Sequence, residues 1–454
     1  MLETLLERAA GIAAGLELGR VPAQSIIQAG FVIADTIAVS RAGSRQDECV
    51  RLLALSRADG MVGDSESGHS SATREGIPSG KLRSATVFSS PRTRSSPEHA
   101  AFLNATAGSF LEMDEGMRPT GHPAMQLVPA AVSVAESTGA SGEALLRAVL
   151  SGYELTSRLF RAFQLRYPTH PHGHFGAIGA ALAVALLEDV DPIAAVRIAA
   201  TTPVLSVWEA CFEGATARNT WMGLAAQSGV RASKLAKAGF TGSSRSLELA
   251  FGELVGELVD PQVLSAELSY GELGIGHNYF KLHSACALNH AAIDATLRLE
   301  LPDPERIERI VVETVSNNMK VNRQAEANDL SARFSLPYAV AAVAALGRTD
   351  PEAFRYRTDV ATLAQRVEVR TAPELEAKWP GASPARVTAF WGGESVSAEV
   401  LNPHGHYSEP ITESELKEKF LTLMEAPEFG GAWWARLTSL SEAEDCSTLF
   451  YEGA

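Results

Sequence analysis

The chain has 454 residues, of which 46% are apolar and 20% charged, a composition typical of a soluble globular protein with room for two domains. Its formal net charge of −15 argues against nucleic acid or an anionic membrane surface as a partner. It does not exclude a small anionic substrate, because a locally basic pocket can exist inside an acidic protein. Four widely spaced cysteines without a CxxC pair indicate reduced thiols, with neither a disulfide framework nor a zinc knuckle.

The first residues carry no targeting pattern. Glu3 and Glu7 lie among the apolar residues, and there is no basic region followed by a cleavage site, so we predict no signal peptide. We also expect no apolar run to reach the roughly 20 residues that a membrane span needs. The predicted location is therefore the cytoplasm.

From residue 1 to about 260 the pattern is helical. Residues 25–39 predict a buried helix that contains Asp35, and residues 59–83, rich in Gly and Ser, predict a surface loop or a partly disordered insert. Ser141 is a predicted N-cap. Further helices are expected over 98–113, 124–137, 141–160, 176–188 and 224–238.

The pattern changes after about residue 268, where β-branched and polar residues alternate. Strands are predicted over 306–315, 366–370, 385–391 and 395–400, and helices over 291–299, 337–346 and 410–423. Gly392-Gly393 predicts a hairpin between the last two strands.

The predicted fold class is therefore mainly α with a smaller α+β domain. A large all-helical domain is expected over 1–267, and residues 401–454 are expected to return to it. The α+β lid domain is expected over 268–400.

The stretch LEMDEGMRPTGHP, residues 111–123, brings acids and a histidine to the junction of two apolar helices. Glu112, Asp114 and Glu115 end the first helix, and His122 begins the second. Carboxylates beside a histidine at such a junction are suited to proton transfer. A solvated acidic helix end would give a similar pattern.

Basic groups able to bind an anion occur in two later stretches. Arg218 lies in ATARNTW and Lys281 in NYFKLHSAC. A guanidinium can bind a carboxylate through two hydrogen bonds, whereas a desolvated Lys can act as a point charge or a base. Each of these residues, taken alone, is equally typical of a solvated charge.

Three histidines in HPHGH, His170, His172 and His174, would share one face of an extended segment and could bind a transition metal. The pattern lacks a closing carboxylate or Cys at defined spacing, so we predict no metal and keep this site as an alternative. GxSxG, GxGxxG and GxxxxGK[ST] motifs are absent, so neither a hydrolase triad nor a nucleotide or redox cofactor is predicted.

Seven stretches, in order, resemble the MmgE/PrpD family, and together they span residues 20–405. They are SIIQAGFVIADTIAVSRAGS, AFLNATAGSFLEMDEG…GHPAMQLVPAAVSVAE, LSGYELTSRL, HPHGHFGAIGAAL, GLAAQSGVRASKLAKAGFTG, KLHSACALNHAAIDA and ARFSLPYAVA. The family contains 2-methylcitrate dehydratase, cis-aconitate decarboxylase and an iminodisuccinate epimerase. The resemblance implies a homodimer, a pocket between a helical domain and a lid, and metal-free proton transfer next to carboxylates.

The resemblance also implies catalytic roles for four retained side chains, His122, His170, Lys281 and Tyr338. From the residues alone, a tyrosine at an apolar helical position such as Tyr338 is more typical of a core.

Several positions depart from the family pattern. Glu112 replaces the first aspartate of Asp-Phe-Asp-Asp-Thr, Gly116 replaces its threonine, and Arg218 replaces a lysine. Of a family Cys-Cys pair only Cys286 is retained, after Ala285. These departures predict a reshaped pocket and an altered substrate.

We therefore expect a cofactor-independent lyase acting on a small di- or tricarboxylic (hydroxy) acid, with Glu112, Asp114, Arg218 and Cys286 binding the substrate. A dehydratase of the 2-methylcitrate type is the first expectation, and an epimerase or decarboxylase on a related acid is the alternative. A non-catalytic carboxylate-binding homologue is the alternative of another class.

Overall fold

The computed structural model describes residues 4–64 and 84–450, and helices account for most of that part of the chain. Two main hydrophobic cores organise it, an all-helical one and one built on a mixed sheet. The predicted class, mainly α with a smaller α+β part, is confirmed.

The larger core gathers buried side chains from residues 6–280 and 416–450. The second core gathers residues 286–400 and three aromatic or thiol side chains from the helical half, Trp208, Cys211 and Phe212. The chain thus returns to the first core after the sheet. The domain boundaries at residues 267 and 400 stay predictions.

Most helices of the larger core lie within a few residues of predicted helices. Four helices were not predicted, namely Leu5–Ala14, Asp47–Ala58, Pro192–Thr201 and Pro427–Thr438. In chain order the helices are Leu5–Ala14, Ala23–Gly43, Asp47–Ala58, Pro97–Gly108, Pro123–Thr138, Gly142–Ala162, His174–Leu187, Pro192–Thr201, Thr220–Lys237, Glu413–Met424 and Pro427–Thr438. Shorter helices are Glu209–Phe212, Pro261–Ser265, Asp329–Arg333 and Pro373–Glu376.

Small residues let these helices approach closely. A Cβ atom at Gly179 would lie 2.0 Å from Oγ1 of Thr156 and 2.6 Å from the carbonyl oxygen of Gly152, so only glycine fits there. The predicted cap is also present, because the Ser141 hydroxyl accepts a hydrogen bond from the Ala144 amide.

One predicted helix ends early. The expected helix over 98–113 stops at Gly108, and Glu112 has a φ of 50°, in the left-handed region that breaks a helix. The acidic residues therefore lie on an irregular, buried segment between two helices and not on a helix surface.

The second core is built on a four-stranded sheet whose strand order is Glu394–Val400, Ala385–Trp391, Arg309–Thr314 and Val367–Thr371. The first three run antiparallel, and the last runs parallel to its neighbour. Gly392 and Gly393 both have positive φ, as expected for the predicted hairpin turn. Helices His290–Leu297, Leu336–Leu346 and Thr358–Ala364 belong to the same unit.

Three smaller sheets tie loops to the helical core. Strands Val62–Asp64, Thr93–Ser95 and Ala85–Thr86 form one, Gly116–Met117 pairs with Asn278–Tyr279, and Phe163–Leu165 pairs with Gly256–Leu258. Of the insert predicted over 59–83, residues 59–64 form a turn and a strand, and 65–83 lie outside the described residues.

The expectation about membrane-length segments needs one correction. Helix Ala23–Gly43 is long and apolar enough to cross a membrane by length and composition, with a mean hydropathy of 1.3 over its most apolar window. Two-thirds of that window, 67%, is buried inside the protein, as in the core helix of a soluble protein.

Candidate active site

A cavity of about 380 Å³ opens beside the irregular segment that follows Gly108. Its wall includes residues of both cores. The side chains able to carry charge or protons in that wall are Glu112, Arg118, His122, Arg161, His170, His172, Tyr279, Cys286 and Lys320.

His122 is the N-cap residue of helix Pro123–Thr138, and two oxygen atoms contact its ring nitrogen Nδ1. Its Nδ1 lies 2.8 Å from the carbonyl oxygen of Glu115 and 2.9 Å from Oδ2 of Asp114. A carbonyl oxygen can only accept a hydrogen bond, so Nδ1 carries the proton and Nε2 holds the free lone pair.

Behind His122, four buried charged side chains form a chain of alternating sign. Asp114 lies 3.1 Å from Nζ of Lys281, which lies 3.2 Å from Glu112, and Glu112 lies 2.6 Å from Nη1 of Arg218. The side chains of Lys281, Asp114 and Arg218 have no exposed surface. The two positive and two negative charges compensate each other, which a buried cluster requires.

This pairing fixes the charge states. Burial raises the pKa of Asp114, but the Lys281 ammonium and His122 outweigh burial and hold that pKa well below its usual range. Burial lowers the pKa of Lys281, and Asp114 and Glu112 more than restore it, so the net shift is upward. Asp114 therefore stays ionised and can stabilise a positive charge on His122.

The structure changes the expectation that the two basic residues, Arg218 and Lys281, contact the substrate directly. Arg218 and Lys281 do not line the cavity; they are occupied by Glu112 and Asp114. The structure thus gives them a supporting position behind the cavity wall, because a buried ammonium or guanidinium needs a carboxylate close by.

Three distant side chains hold the acidic segment in place. The Ser284 hydroxyl donates to the Leu111 carbonyl at 2.6 Å, and Nη1 of Arg333 donates to the Phe110 carbonyl at 3.0 Å. Lys419, from helix Glu413–Met424, donates to the Met113 carbonyl at 2.9 Å. Lys419 also pairs with the buried Asp35 at 2.6 Å, which accounts for the acid inside that apolar helix.

The predicted histidines separate into two groups. His170 and His172 line the cavity, whereas Nε2 of His174 lies 2.7 Å from the His170 carbonyl and its ring packs edge-on against Phe251. His170 accepts the His172 amide at Nδ1, and Nδ1 of His172 lies 3.2 Å from Nη2 of Arg218. Burial lowers the pKa of both rings well below the usual range, so both are neutral.

The alternative metal site therefore does not form as the sequence pattern suggested. Within residues 4–64 and 84–450, the ligand atoms that converge within 4.8 Å of one another belong to Asp114, His122 and His172. Lys281 and Arg218 hydrogen-bond to two of these three residues, and such close positive charges oppose a divalent cation.

Two other predicted site residues, Tyr338 and Cys286, lie in surroundings that differ from those of His122 and His170. The Tyr338 hydroxyl donates to the Arg355 carbonyl at 2.7 Å and accepts the Arg357 amide at 2.8 Å, and it does not line the cavity. Tyr338 thus lies in the core around the four-stranded sheet, and the catalytic role that the resemblance implies for it stays a prediction. Cys286 does line the cavity, and burial raises the pKa of its thiol to about 11, which disfavours a nucleophilic thiolate.

Gly116 lies against the imidazole of His122 and lines the cavity. A Cβ atom built there would lie 3.5 Å from Nδ1 and Cε1 of His122, at ordinary contact distance. The threonine of the family pattern would place its Cβ against the His122 ring, and glycine leaves this part of the cavity wall without a side chain.

Glu115 supports His122 from behind. One carboxyl oxygen accepts a hydrogen bond from the Tyr153 hydroxyl, and the other accepts the Ala124 amide at 3.2 Å, in the first turn of the His122 helix. Burial raises the pKa of Glu115 to about 8, so this carboxyl group is largely protonated at neutral pH.

We predict that Glu115→Gln flattens the pH dependence of stability. In the folded protein Glu115 keeps its proton up to about pH 8, whereas in the unfolded chain it loses it near 4.5. The folded state then binds more protons between these values, so stability falls as pH rises, by up to about 1.4 kcal/mol per pH unit. Urea unfolding at pH 5.5, 6.5 and 7.5 should show the variant gaining on the wild type with each step.

The exposed variant Glu418→Gln serves as the control and should keep the wild-type slope. If Glu115→Gln and the wild type lose stability in parallel as pH rises, the carboxyl group is ionised in the folded protein and the assignment is wrong.

Sequence reasoning missed Arg118 and Tyr279 as cavity residues and treated His172 only as a metal ligand. Arg118 stands alone in a short loop, where no periodicity marks it. The one available signal was its position four residues before His122 in the same stretch.

Comparisons with known proteins agree with the resemblance. The family model for the MmgE/PrpD N-terminal domain matches residues 7–255, and that for the C-terminal domain matches residues 283–428. Cis-aconitate decarboxylase from Homo sapiens is 26% identical over 393 residues, 81% of each chain. The protein of the same name from Mus musculus is 24% identical over 476 residues, 99% of this chain and 93% of its own. Since the two models together match well over half of the sequence, this chain belongs to the MmgE/PrpD family.

Proposed function

We propose that this protein is a lyase that acts on a small di- or tricarboxylic acid and transfers a proton at a carbon next to a carboxylate. One observation carries the proposal: His122 lines the cavity while its Nδ1 lies 2.9 Å from Asp114, whose pKa the Lys281 ammonium and His122 hold well below its usual range. Because Asp114 compensates the charge of an imidazolium, Nε2 can accept a proton from the substrate and return it.

The charge of the cavity wall supports an anionic substrate. Arg118, Arg161 and Lys320 line it, and none of them forms an ion pair with a described carboxylate. The carboxylate in the same wall, Glu112, is already paired with Arg218 and Lys281. The cavity is therefore locally positive inside a protein of charge −15.

Decarboxylation is the first reaction to test, because the two curated relatives are cis-aconitate decarboxylases. The C–C bond to one carboxylate breaks, CO2 leaves, and the electron pair is delocalised toward a neighbouring carboxylate. The His122 imidazolium then donates its Nε2 proton to carbon, while Asp114 stabilises the imidazolium beforehand.

Dehydration is the second candidate, and the position of His170 favours it. His170 lines the same cavity, and because its Nδ1 accepts the His172 amide, its proton lies on Nε2. His122 would remove the proton next to the carboxylate, and its imidazolium would then give that proton to the departing hydroxyl group, which the Nε2–H group of the neutral His170 holds by a hydrogen bond.

NMR in D2O tests the proposal. Cis-aconitate and a panel of hydroxy di- and tricarboxylic acids are each incubated with the purified protein. We expect deuterium at the carbon next to a carboxylate, with release of CO2 for decarboxylation or of water for dehydration. Acids that bind but show neither exchange nor product would favour the non-catalytic carboxylate-binding homologue and overturn the proposal.

A further inference from the structure

Arg118 and Tyr279 place buried hydrogen-bond donors without a protein partner on one wall of the cavity. Arg118 is 8% exposed, and its Nε and Nη2 atoms form no hydrogen bond to any described residue. The Tyr279 hydroxyl, on a side chain that is 1% exposed, is also without a partner there. Both residues line the cavity, so the missing acceptor can come from a ligand.

The backbone holds this pair of side chains in a fixed arrangement. The Arg118 amide donates to the His277 carbonyl at 3.0 Å, and strand Gly116–Met117 pairs with Asn278–Tyr279. The guanidinium carbon of Arg118 lies 4.5 Å from the centre of the Tyr279 ring, a stacked contact that leaves the N–H groups at its edge free.

Other buried arginines of the helical core do have carboxylate partners. Arg218 lies 2.6 Å from Glu112, and Arg158 lies 2.8 Å from Glu154. No ion pair within residues 4–64 and 84–450 includes Arg118. Burial lowers the pKa of Arg118. The groups that oppose this shift are Tyr279, Cys286 and Tyr407, and none of them is a carboxylate. A carboxylate supplied by the substrate would satisfy both the charge and the free donors.

We propose that Arg118 and Tyr279 form a second carboxylate site, which binds a carboxylate other than the one next to the carbon that His122 protonates. The cavity then selects acids with two or more carboxylates over monocarboxylic acids. The distinction between the two carboxylates rests on the proposed function, whereas the anion site itself rests on the unpartnered donors.

Binding of glutarate and pentanoate tests this site without turnover. The two ligands share a five-carbon chain and differ only in the second carboxylate. We expect the wild type to bind glutarate about 10- to 100-fold more tightly in an NMR or calorimetric titration, as for a charge-assisted hydrogen-bonded pair. In Arg118→Gln the two affinities should agree within about threefold, while pentanoate binding stays close to that of the wild type.

Arg161→Gln is the matched control, since Arg161 lines the same cavity but is exposed. It should weaken glutarate binding by no more than about fivefold, as expected for an exposed charge. If Arg161→Gln and Arg118→Gln lose the same affinity for glutarate, the preference comes from the overall charge of the cavity and the proposal is wrong. The proposal is also wrong if the wild-type protein binds glutarate and pentanoate equally well.

Arg118→Lys guards against a folding defect in the glutamine variant, because it keeps the charge and loses the planar fork. It should retain part of the preference for glutarate. The experiments distinguish a failure of the second carboxylate site from a failure of the proposed function. A preference for glutarate that depends on Arg118, without exchange in D2O, contradicts only the proposed function. Exchange that depends on His122, without that preference, contradicts only the second site.

Discussion

Replacing His122 by Asn should lower kcat about 10²- to 10⁴-fold, the usual contribution of a general acid or base. The Asn amide group can still donate a hydrogen bond to the Glu115 carbonyl, as Nδ1 does at 2.8 Å, but it cannot carry a proton between substrate and solvent. The loss should therefore appear in kcat, with little change in substrate binding or in the unfolding temperature. Steady-state kinetics on the acid identified by NMR, together with thermal unfolding, check this result.

His404→Asn is the control, because His404 is a partly exposed histidine that pairs with Glu415 and does not line the cavity. Its kcat should stay within about twofold of the wild type, as for surface substitutions generally. A His122→Asn protein that retains wild-type kcat on every acid would remove His122 from the chemistry, and with it the proposed function.

Lys281→Met should produce the largest loss of stability, about 3–5 kcal/mol in the free energy of unfolding. The Lys281 ammonium lies within 3.2 Å of Glu112 and within 3.1 Å of Asp114, and none of the three side chains is more than 2% exposed. Removing the ammonium leaves Asp114 ionised without its principal cation or forces it to take up a proton. Urea unfolding at neutral pH measures the loss.

The exposed pair Lys378–Glu399, at 3.0 Å, offers a matched comparison. Lys378→Met should cost less than about 1 kcal/mol, because water screens an exposed pair and Glu399 keeps its ion pair with Arg386. A similar small loss for Lys281→Met would show that the buried chain of charges contributes little. The double variant Lys281→Met, Asp114→Asn should recover part of the lost stability, because the carboxylate that the first substitution leaves without its cation is then also removed.

The helical part of the fold could be predicted because its signals are local. The spacing of apolar residues and the Ser141 cap place helix Gly142–Ala162 within two residues of its observed ends. The early end of the helix before Glu112 could not be predicted in this way. Its cause is a set of contacts with residues more than 100 positions away, above all Lys281 and Arg218.

The candidate site could be predicted in part. The acids and the histidine mark the stretch around His122, and the polar stretches around Arg218 and Lys281 mark two basic groups, which the structure brings together with it. Tyr338 was carried over from the family pattern although its apolar helical context favoured a core position, which is where its hydroxyl is bonded. Arg118 was missed because its significance depends on what it fails to contact, and a sequence does not show that.

The contact between Lys419 and the Met113 carbonyl has a consequence for synthesis of the protein. These residues are 306 positions apart, so at about 5–20 residues per second the acidic segment leaves the ribosome some 15–60 s before the side chain that fixes it. A nascent chain that already contains His122, Lys281 and the whole sheet domain still lacks this support. Catalytic competence should therefore arise late, when helix Glu413–Met424 packs, and partial chains should not act on cellular acids.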